Sequence, residues 1–286
     1  MTNIDSTLRG AVVGASDDLT LTLDPAFQGL PDAAHGGSVL ALFDLLAARR
    51  GARTVHGRYL RRVPLGVPLV LTLTRAAGAL ACRVAEPGGS VLVDGGVGGE
   101  SRSCAPAQPA ASVTAELITP EPAPLPVSLT CFACGVDNPL GLGARLTFDA
   151  RAVTGVWVPR AAFHAADGRL STAALTTLLD EAAFWLGALA SGESGMTTEL
   201  EVTLHGDASV TNAVVIRGER ATTRPRAGDP RYWDTRVSAH DEADRVLATA
   251  AITFAAVRGA ARRLVTGLLA MNPPDVVRRV FPAYCA

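Results

Sequence analysis

Two carboxylates lie within two stretches that are otherwise almost wholly apolar, and both could do chemistry. Asp44 interrupts the stretch 39–47, and Asp180 interrupts the similar stretch 173–183. Stretches that are apolar all round predict buried helices, since they offer no face to water. A carboxylate shielded from water has a raised pKa and a stronger tendency to take a proton. Such a group could activate a water molecule or attack a carbonyl carbon itself.

The residues that open the first stretch could supply the partner of such a carboxylate. His35 is followed by Gly36 and Gly37, and glycines leave the first amides of a helix open to close approach by a ligand. Free amides at a helix start, backed by the helix dipole, can stabilise the negative oxygen that forms when a carbonyl is attacked. We therefore expect an oxyanion hole at this helix start.

One helix cannot bring both groups to the same carbonyl. The glycines and Asp44 are separated by about 13 Å along a helix axis, at 1.5 Å per residue. The sequence contains a second copy of the pattern 136 residues later, in which Asp180 falls where Asp44 falls and Phe163 repeats Phe27. In that copy Ser171 replaces the histidine and the two glycines are lost. A composite site from both copies is therefore expected, with a second, decayed or repurposed counterpart.

The elements that position these residues are predicted to be one long helix followed by antiparallel strands, repeated twice. Two such units imply an α+β fold in which each buried helix is wrapped by its own curved sheet. The stretch 119–126 holds four prolines, which favours an extended linker. The predicted organisation is an N-terminal unit, a linker, a C-terminal unit and a helical tail, over residues 1–118, 119–129, 130–258 and 259–286. Strands are predicted at 54–62, 67–74, 79–85, 90–95, 143–149, 153–158, 197–205, 210–217, 230–240 and 245–257.

Composition excludes several functional classes. The chain has 286 residues, 48% apolar and 19% charged, with a net charge of −1, so we expect no nucleic-acid or membrane partner. No apolar run approaches a membrane span and the first ten residues lack a signal-peptide core, so a cytoplasmic location is expected. Cys131 and Cys134 have metal-type spacing but no second pair of ligands, which favours a turn of buried thiols and no metal.

Both halves resemble the hotdog fold, and specifically the PaaI-like acyl-CoA thioesterases. The first half carries the pattern HGGxxxxLxD from His35 to Asp44. The second half carries the opening CFxCGxxNPxGL at 131–142, LLDEAA around Asp180, and the strand TTELEV at 197–202. The resemblance covers about 12–115 and 130–257. It implies two tandem hotdog units in one chain.

The resemblance also implies where a site would lie, because sites in this family use glycine amides of one unit and the acid of the other. The implied catalytic residues of the first site are His35, Gly36, Gly37, Asp180, Thr197 and Thr198, the last two as hydroxyls that orient water. The second would pair Asp44 with 171–172, and Ala52 falls where its hydroxyl is expected. The implied substrate is an acyl-CoA thioester, with coenzyme A as part of the substrate rather than a separate cofactor, and a homodimer of the chain is a further expectation.

Structural explanations remain open for several of these residues. Asp44 and Asp180 could be buried polar groups satisfied by the backbone, and Glu181 is expected to face outward. Arg61 and Arg62 belong to a group of six arginines at 49–62 that could hold the phosphates of coenzyme A. The alternative pairs these arginines with Glu199, Glu201 and Asp207 of the other half. No function is expected for the other histidines or for the tail, which should pack on the outside.

Two alternatives to thioester hydrolysis also remain open. The loss of the histidine and glycines from one half, and the departure from the family's Arg-Pro at Gly206-Asp207, are compatible with a degenerate module that binds acyl-CoA without turnover. A hotdog enoyl-CoA hydratase is the other alternative. That chemistry normally uses an Asp–His pair on one loop–helix element, which neither helix offers.

Overall fold

A computed structural model describes residues 3–14, 18–99, 121–165, 167–210 and 212–285. Five α-helices are present in these residues. They are α1 (Ile4–Gly10), α2 (Gly36–Ala47), α3 (Thr172–Ser191), α4 (Ala260–Leu269) and α5 (Pro274–Val280). Short 3-10 turns precede both long core helices, at Pro25–Phe27 and Ala161–Phe163.

Fourteen strands pair into one antiparallel sheet. They are β1 (Val12–Val13), β2 (Asp18–Leu21), β3 (Arg53–Tyr59), β4 (Leu69–Ala76), β5 (Ala79–Ala85), β6 (Val91–Gly98), β7 (Ala123–Pro124), β8 (Leu146–Phe148), β9 (Ala152–Trp157), β10 (Gly195–Leu204), β11 (Val214–Glu219), β12 (Arg224–Arg226), β13 (Asp229–His240) and β14 (Val246–Ala256). Their order across the sheet is β1-β2-β4-β5-β6-β3-β10-β14-β13-β11-β9-β8-β7, with β12 paired to β13.

The two halves of the sheet have the same strand order, counted outward from the central β3–β10 pair. The order β2-β4-β5-β6-β3 on one side matches β9-β11-β13-β14-β10 on the other. At the junction Glu199 faces Arg58 and Leu204 faces Arg53 across an antiparallel register. The predicted duplication of a helix followed by antiparallel strands is therefore confirmed, and the fold is α+β.

Phe27 and Phe163 are equivalent in space as well as in sequence. Both are fully buried at the end of a 3-10 turn, and both pack against Phe132, with ring centroids 5.0 and 6.1 Å away. Each also accepts a hydrogen bond at its backbone carbonyl from the residue that caps the following helix. His35 N–H donates to Phe27 O, and Ser171 N–H donates to Phe163 O, both at 2.8 Å. The same backbone arrangement thus delivers both core helices into the molecule.

The core helices α2 and α3 approach each other so closely that Gly37 has no room for a side chain. A Cβ atom there would lie 2.5 Å from Thr177 Cα and 2.6 Å from the Thr176 backbone. Thr176 Oγ1 also donates a hydrogen bond to Gly37 O at 2.7 Å. The group that approaches this glycine closely is therefore the other helix, and not a ligand.

The two core helices differ in length. Helix α2 ends at Ala47, where Ala48 takes the left-handed conformation (φ 51°). Helix α3 has 20 residues, and its length and mean hydropathy would allow it to cross a membrane. This differs from the expectation that no apolar stretch is long enough for a membrane span. However, 83% of its apolar window is buried inside the fold, as in the core helix of a globular protein.

The ends of the chain and the linker also add features that the sequence did not predict. Helix α1 packs beside α2. Part of the proline-rich stretch 121–126 forms β7 at the edge of the sheet, where proline is tolerated because its missing N–H faces away from the neighbouring strand. The predicted end of the first unit at residue 118 lies outside the described residues. In the tail, α4 buries Ala261, Val265 and Leu268 and exposes Leu269, and α5 buries Val277 and Val280.

Candidate active site

The glycine-rich start of α2 and the carboxylate of α3 lie in contact. Gly37 donates its amide to Asp180 Oδ2 at 3.0 Å, and His35 Nδ1 lies 3.1 Å from the same oxygen. Thr197 Oγ1, on β10, donates to Asp180 Oδ1 at 2.7 Å. Asp180 is only 4% exposed, so these three contacts act on a carboxylate that is almost fully shielded from water. The groups that the sequence assigned to one composite site meet in space.

The hydrogen bonds reverse the predicted direction of the Asp180 pKa shift. Burial raises the pKa of this carboxyl group, as the sequence analysis expected. Hydrogen bonds and charge from His35, with further bonds from Thr197 and Gly37, outweigh burial and hold the pKa below its ordinary value. Burial lowers the pKa of His35, but its contacts with Asp180 and Glu181 outweigh this and raise that pKa well above the usual range. Asp180 therefore stays ionised, and it is less basic than burial alone would make it.

The two glycine amides have different roles. The Gly37 amide is committed to Asp180, so the prediction that it serves as a free oxyanion donor is wrong for this state of the site. Gly36 lines the adjacent cavity, and no described residue accepts its amide hydrogen. The Gly36 carbonyl accepts a 2.6 Å hydrogen bond from Tyr59 Oη, which orients the Gly36–Gly37 peptide and with it the Gly37 N–H. The Gly36 N–H is thus the available donor at the helix start.

A cavity of about 430 Å³ opens onto Gly36, Asp180 and Thr197. Its lining is mainly apolar, which suits the hydrocarbon part of a ligand. Thr198 points elsewhere and donates to Thr253 O at 3.2 Å, so the prediction that includes it in the site is wrong. The bulge in the pairing of β10 with β14 lies between Thr197 and Glu199, and it places Thr197 beside the carboxylate.

The C-terminal tail forms one wall of this cavity. Arg263, Leu264, Gly267, Leu268, Ala270 and Met271 line it. The expectation that the tail packs on the outside without contact to the chemistry is therefore wrong. Exposed Arg61 and Arg62 line the same cavity, and their predicted contact with coenzyme A stays a prediction.

The equivalent position in the other half is filled by an ion pair. Arg53 Nε and Nη2 donate to the two oxygens of Asp44 at 2.5 and 2.8 Å, and Thr172 Oγ1 donates to Asp44 Oδ2 at 2.6 Å. Both charged side chains are almost fully buried. In this structure both oxygens of Asp44 are engaged by Arg53, so the predicted catalytic role of Asp44 is not available without breaking this ion pair. The partner is a side chain rather than the backbone donors that the structural alternative expected.

The other arginines divide between the two predicted roles. Arg53 Nη1 also pairs with Asp207 at 3.1 Å, which confirms one predicted pair, and Arg50 pairs with Asp167 at 2.9 Å. Glu199 pairs instead with Arg226 of its own half at 2.6 Å. Arg61 and Arg62, which line the cavity, have no ion pair among the described residues.

Glu181 is buried beside His35, so the prediction that it faces outward is wrong. Its Oε1 accepts a 2.9 Å hydrogen bond from Trp185 Nε1, and its Oε2 lies 3.5 Å from His35 Nε2. The spacing Glu-x-x-x-Trp on a helix is a sequence signal for this bond, because residues i and i+4 share one face. Tyr59 gave no comparable signal in the sequence.

Cys131 reaches the same site from the opening of the second half. The loop that holds it docks on the first half through Asn138 Nδ2, which donates to Ala26 O at 2.7 Å, and through Phe132 N, which donates to Gln28 O at 2.6 Å. Gly135 is required because a Cβ there would overlap the Cys131 carbonyl. The predicted turn of buried thiols is present, and both Cys131 and Cys134 are unpaired thiols lining the cavity.

The fold is shared with solved structures of hotdog proteins. A candidate thioesterase II from Thermobifida fusca superposes with a TM-score of 0.60 at 17% identity, covering 90% of this chain and 100% of that one. A protein with a hotdog fold from Alicyclobacillus acidocaldarius gives 0.57 at 12% identity, covering 89% and 97%. A dehydratase domain of a polyketide synthase from Brevibacillus brevis gives 0.57 at 12% identity, covering 84% and 94%.

These likenesses establish the fold and leave the activity open, because the similar structures carry names from more than one reaction class. No protein-family model matches the chain, and no curated protein matches it. It is the likeness to these solved structures that confirms the hotdog fold.

Proposed function

We propose that this chain hydrolyses an acyl-CoA thioester at the composite site of α2 and α3. The observation that carries the proposal is the contact between Asp180 of one repeat and the Gly36–Gly37 helix start of the other, at the end of an apolar cavity. A carboxylate and a free helix-start amide facing one cavity are the two groups that attack on a thioester carbonyl requires.

Each residue of the site has a distinct part in the proposed reaction. The carbonyl oxygen of the substrate accepts a hydrogen bond from Gly36 N–H. Tyr59 holds the next peptide, Gly36–Gly37, through its bond to the Gly36 carbonyl, and so helps to keep the Gly37 N–H on Asp180. Asp180, kept ionised by His35 and Thr197, either attacks the carbonyl carbon or takes a proton from an attacking water. The sulfur of coenzyme A leaves with the bonding electron pair. Direct attack gives a mixed anhydride that water then opens, and assisted attack gives the acid in one step.

Asp180 stays ionised, which is the form that both direct attack and proton abstraction require. A single turnover in ¹⁸O-labelled water distinguishes the two routes. When direct attack is followed by opening of the anhydride at the Asp180 carbonyl carbon, the new oxygen of the first product comes from the unlabelled Asp180 carboxylate and the label enters Asp180. Assisted attack places the label in the first product.

The remainder of coenzyme A would leave the cavity past Arg61 and Arg62. Both guanidinium groups are exposed and both line the cavity, so they can meet phosphate groups without giving up an existing ion pair among the described residues. The acyl group would lie along the apolar wall formed by Leu264 and Leu268 of α4.

A panel of acyl-CoA esters with a thiol-detecting reagent tests the proposal. We expect release of coenzyme A from at least one ester, and loss of that release in Thr197→Val, since this variant removes a bond to Asp180 while keeping the side-chain size. Thr198→Val is the matched control on the same strand, and it should retain the activity. Binding of coenzyme A esters without thiol release in any case would indicate the degenerate module instead.

Hydration of an enoyl-CoA, or the reverse dehydration, is the second candidate function. The sequence analysis disfavoured it because neither helix carries an Asp–His pair. The structure assembles such a pair from both helices, with His35 Nδ1 3.1 Å from Asp180 Oδ2. Loss of the enoyl absorbance of crotonyl-CoA without thiol release would favour this reaction over hydrolysis.

A further inference from the structure

We propose that His35, Cys131 and Glu181 form a binding site for a divalent transition-metal cation such as Zn²⁺. Their ligand atoms all lie within 4.8 Å of one another, and all three residues are buried. The residues come from the start of α2, the loop before β8 and the middle of α3. Imidazole, thiolate and carboxylate together are a donor set that zinc accepts in proteins.

The distances are close to those of a bound ion. Ligand atoms around a tetrahedral zinc are separated by about 3.3–3.6 Å, given bond lengths of about 2.0–2.3 Å. His35 Nε2 and Glu181 Oε2 are already 3.5 Å apart. Because all separations are within 4.8 Å, the sulfur of Cys131 needs a shift of at most about 1.5 Å to complete the set, which a change of its side-chain torsion can supply.

Each donor is held in place by a second hydrogen bond that leaves its metal-facing atom available. A bound cation would displace the proton from His35 Nε2, while the Nδ1 proton would stay directed at Asp180 Oδ2, 3.1 Å away, and hold the ring in place. Glu181 Oε1 accepts from Trp185 and leaves Oε2, while Cys131 Sγ accepts the Ala133 amide at 3.3 Å, a bond that favours the thiolate. Support of this kind around the ligands, with a carboxylate behind the histidine, is typical of metal sites.

Charge balance also favours a cation at this position. Asp180 and Glu181 are consecutive, almost fully buried carboxylates, and in the described part of the chain their only ion-pair partner is His35. Buried charges without compensation are costly. A divalent cation between the three ligands would offset the two carboxylates and the thiolate together with the surrounding dipoles.

The fourth coordination position would face the cavity. All three residues line it, so a water molecule or an oxygen of a ligand could complete the shell. Three protein ligands and one open position are the pattern of zinc sites that react with ligands rather than of purely structural ones. The inference stands apart from thioester hydrolysis, because metal binding is measured without any substrate.

Metal binding by the purified full-length chain tests the inference. After treatment with a chelator, the chain is titrated with Zn²⁺ against a chromophoric competitor and with Co²⁺ in a spectrophotometer. We expect one equivalent per chain, tetrahedral Co²⁺ bands and a sulfur-to-cobalt charge-transfer band. Cys131→Ser should remove the charge-transfer band, and both Cys131→Ser and Glu181→Gln should weaken binding by roughly 100-fold or more. Asp180→Asn should weaken it roughly 10- to 100-fold while retaining the band, as a change behind a ligand does.

Cys82→Ser is the matched control, because Cys82 is a buried thiol of β5 outside the cluster. It should bind as the unaltered chain does. Circular dichroism of each variant separates loss of a ligand from loss of the fold, and Glu181→Gln retains an acceptor for Trp185. Failure of the folded chain to bind either ion stoichiometrically, or stoichiometric binding that Cys131→Ser leaves unchanged, would overturn the inference.

Discussion

Replacing each of the two helix carboxylates by its amide should give opposite results, although the chemical change is the same. Asp44→Asn should lower stability and leave the chemistry of the cavity in place. Asp180→Asn should abolish turnover. The contrast follows from what surrounds each group, namely the Arg53 guanidinium around Asp44 and the Gly36–Gly37 helix start around Asp180.

The cost at Asp44 can be worked from its contacts. The carboxylate accepts three hydrogen bonds, two from Arg53 and one from Thr172. Breaking a buried ion pair by removing one charge costs about 3–5 kcal/mol. The amide keeps one acceptor oxygen, and Arg53 retains Asp207 and the Gly51 carbonyl, so about 2–3 kcal/mol is expected. For a chain of this size that lowers the melting temperature by about 4–12 °C.

The cost at Asp180 appears in the rate. Removing a group that attacks or accepts a proton in the transition state costs roughly 100- to 10,000-fold. Thiol release from the best ester of the panel measures this rate, and thermal unfolding followed by circular dichroism measures stability, both on the same preparations. Rates are compared below the onset of unfolding of the less stable variant.

Two results would refute the reasoning. One is an Asp44→Asn variant with unaltered melting temperature and no turnover, which would place the reaction at the other half of the molecule. The second is an Asp180→Asn variant that retains turnover within about threefold, since no effect that small fits a reacting group.

Further substitutions test the packing and the cavity. Gly37→Ala should destabilise the chain by about 1–3 kcal/mol through overpacking against α3, measured by denaturant unfolding, whereas Gly10→Ala, which meets open space, should not. Gly267→Trp should raise KM for the preferred ester by about tenfold, equivalent to about 1.4 kcal/mol of lost binding, because this helix position lines the cavity; Gly267→Ala should leave KM unchanged. Cys82, whose pKa burial raises to about 12, should resist alkylation at pH 8 in the folded chain and react on unfolding, as mass spectrometry of the peptide would show; rapid labelling of the native chain would contradict this.

Much of the arrangement was accessible from the sequence because it depends on local pattern. Two apolar stretches with a central carboxylate, at a constant offset, predict two buried helices of similar surroundings. The 13 Å between the glycines and Asp44 required a second helix, and the chain contained one. The equivalence of Phe27 and Phe163 also follows from spacing alone, and the structure confirms it.

What the sequence could not supply depends on contacts between distant segments. The pKa of Asp180 is set by His35, Thr197 and Gly37, which lie up to 145 positions away in the chain, and no local pattern reveals that they outweigh burial. Gly37 looked like an open amide because the approach of α3 was not visible. Cys131 and Glu181 became neighbours of His35 only through folding, since His35 lies 96 positions before Cys131 in the sequence and the one spaced partner of Cys131, Cys134, is not part of the cluster.

The Arg53–Asp44 ion pair affects how many ligand molecules one chain can bind. In a dimer of two identical units, two equivalent sites exist, and ligand at one can alter affinity at the other. Here Arg53 closes the counterpart beside Asp44, and the composite cavity beside Asp180 remains. A tight inhibitor should therefore reach its endpoint at one equivalent per 29.5 kDa chain, and the isolated chain should follow a hyperbolic curve without cooperativity.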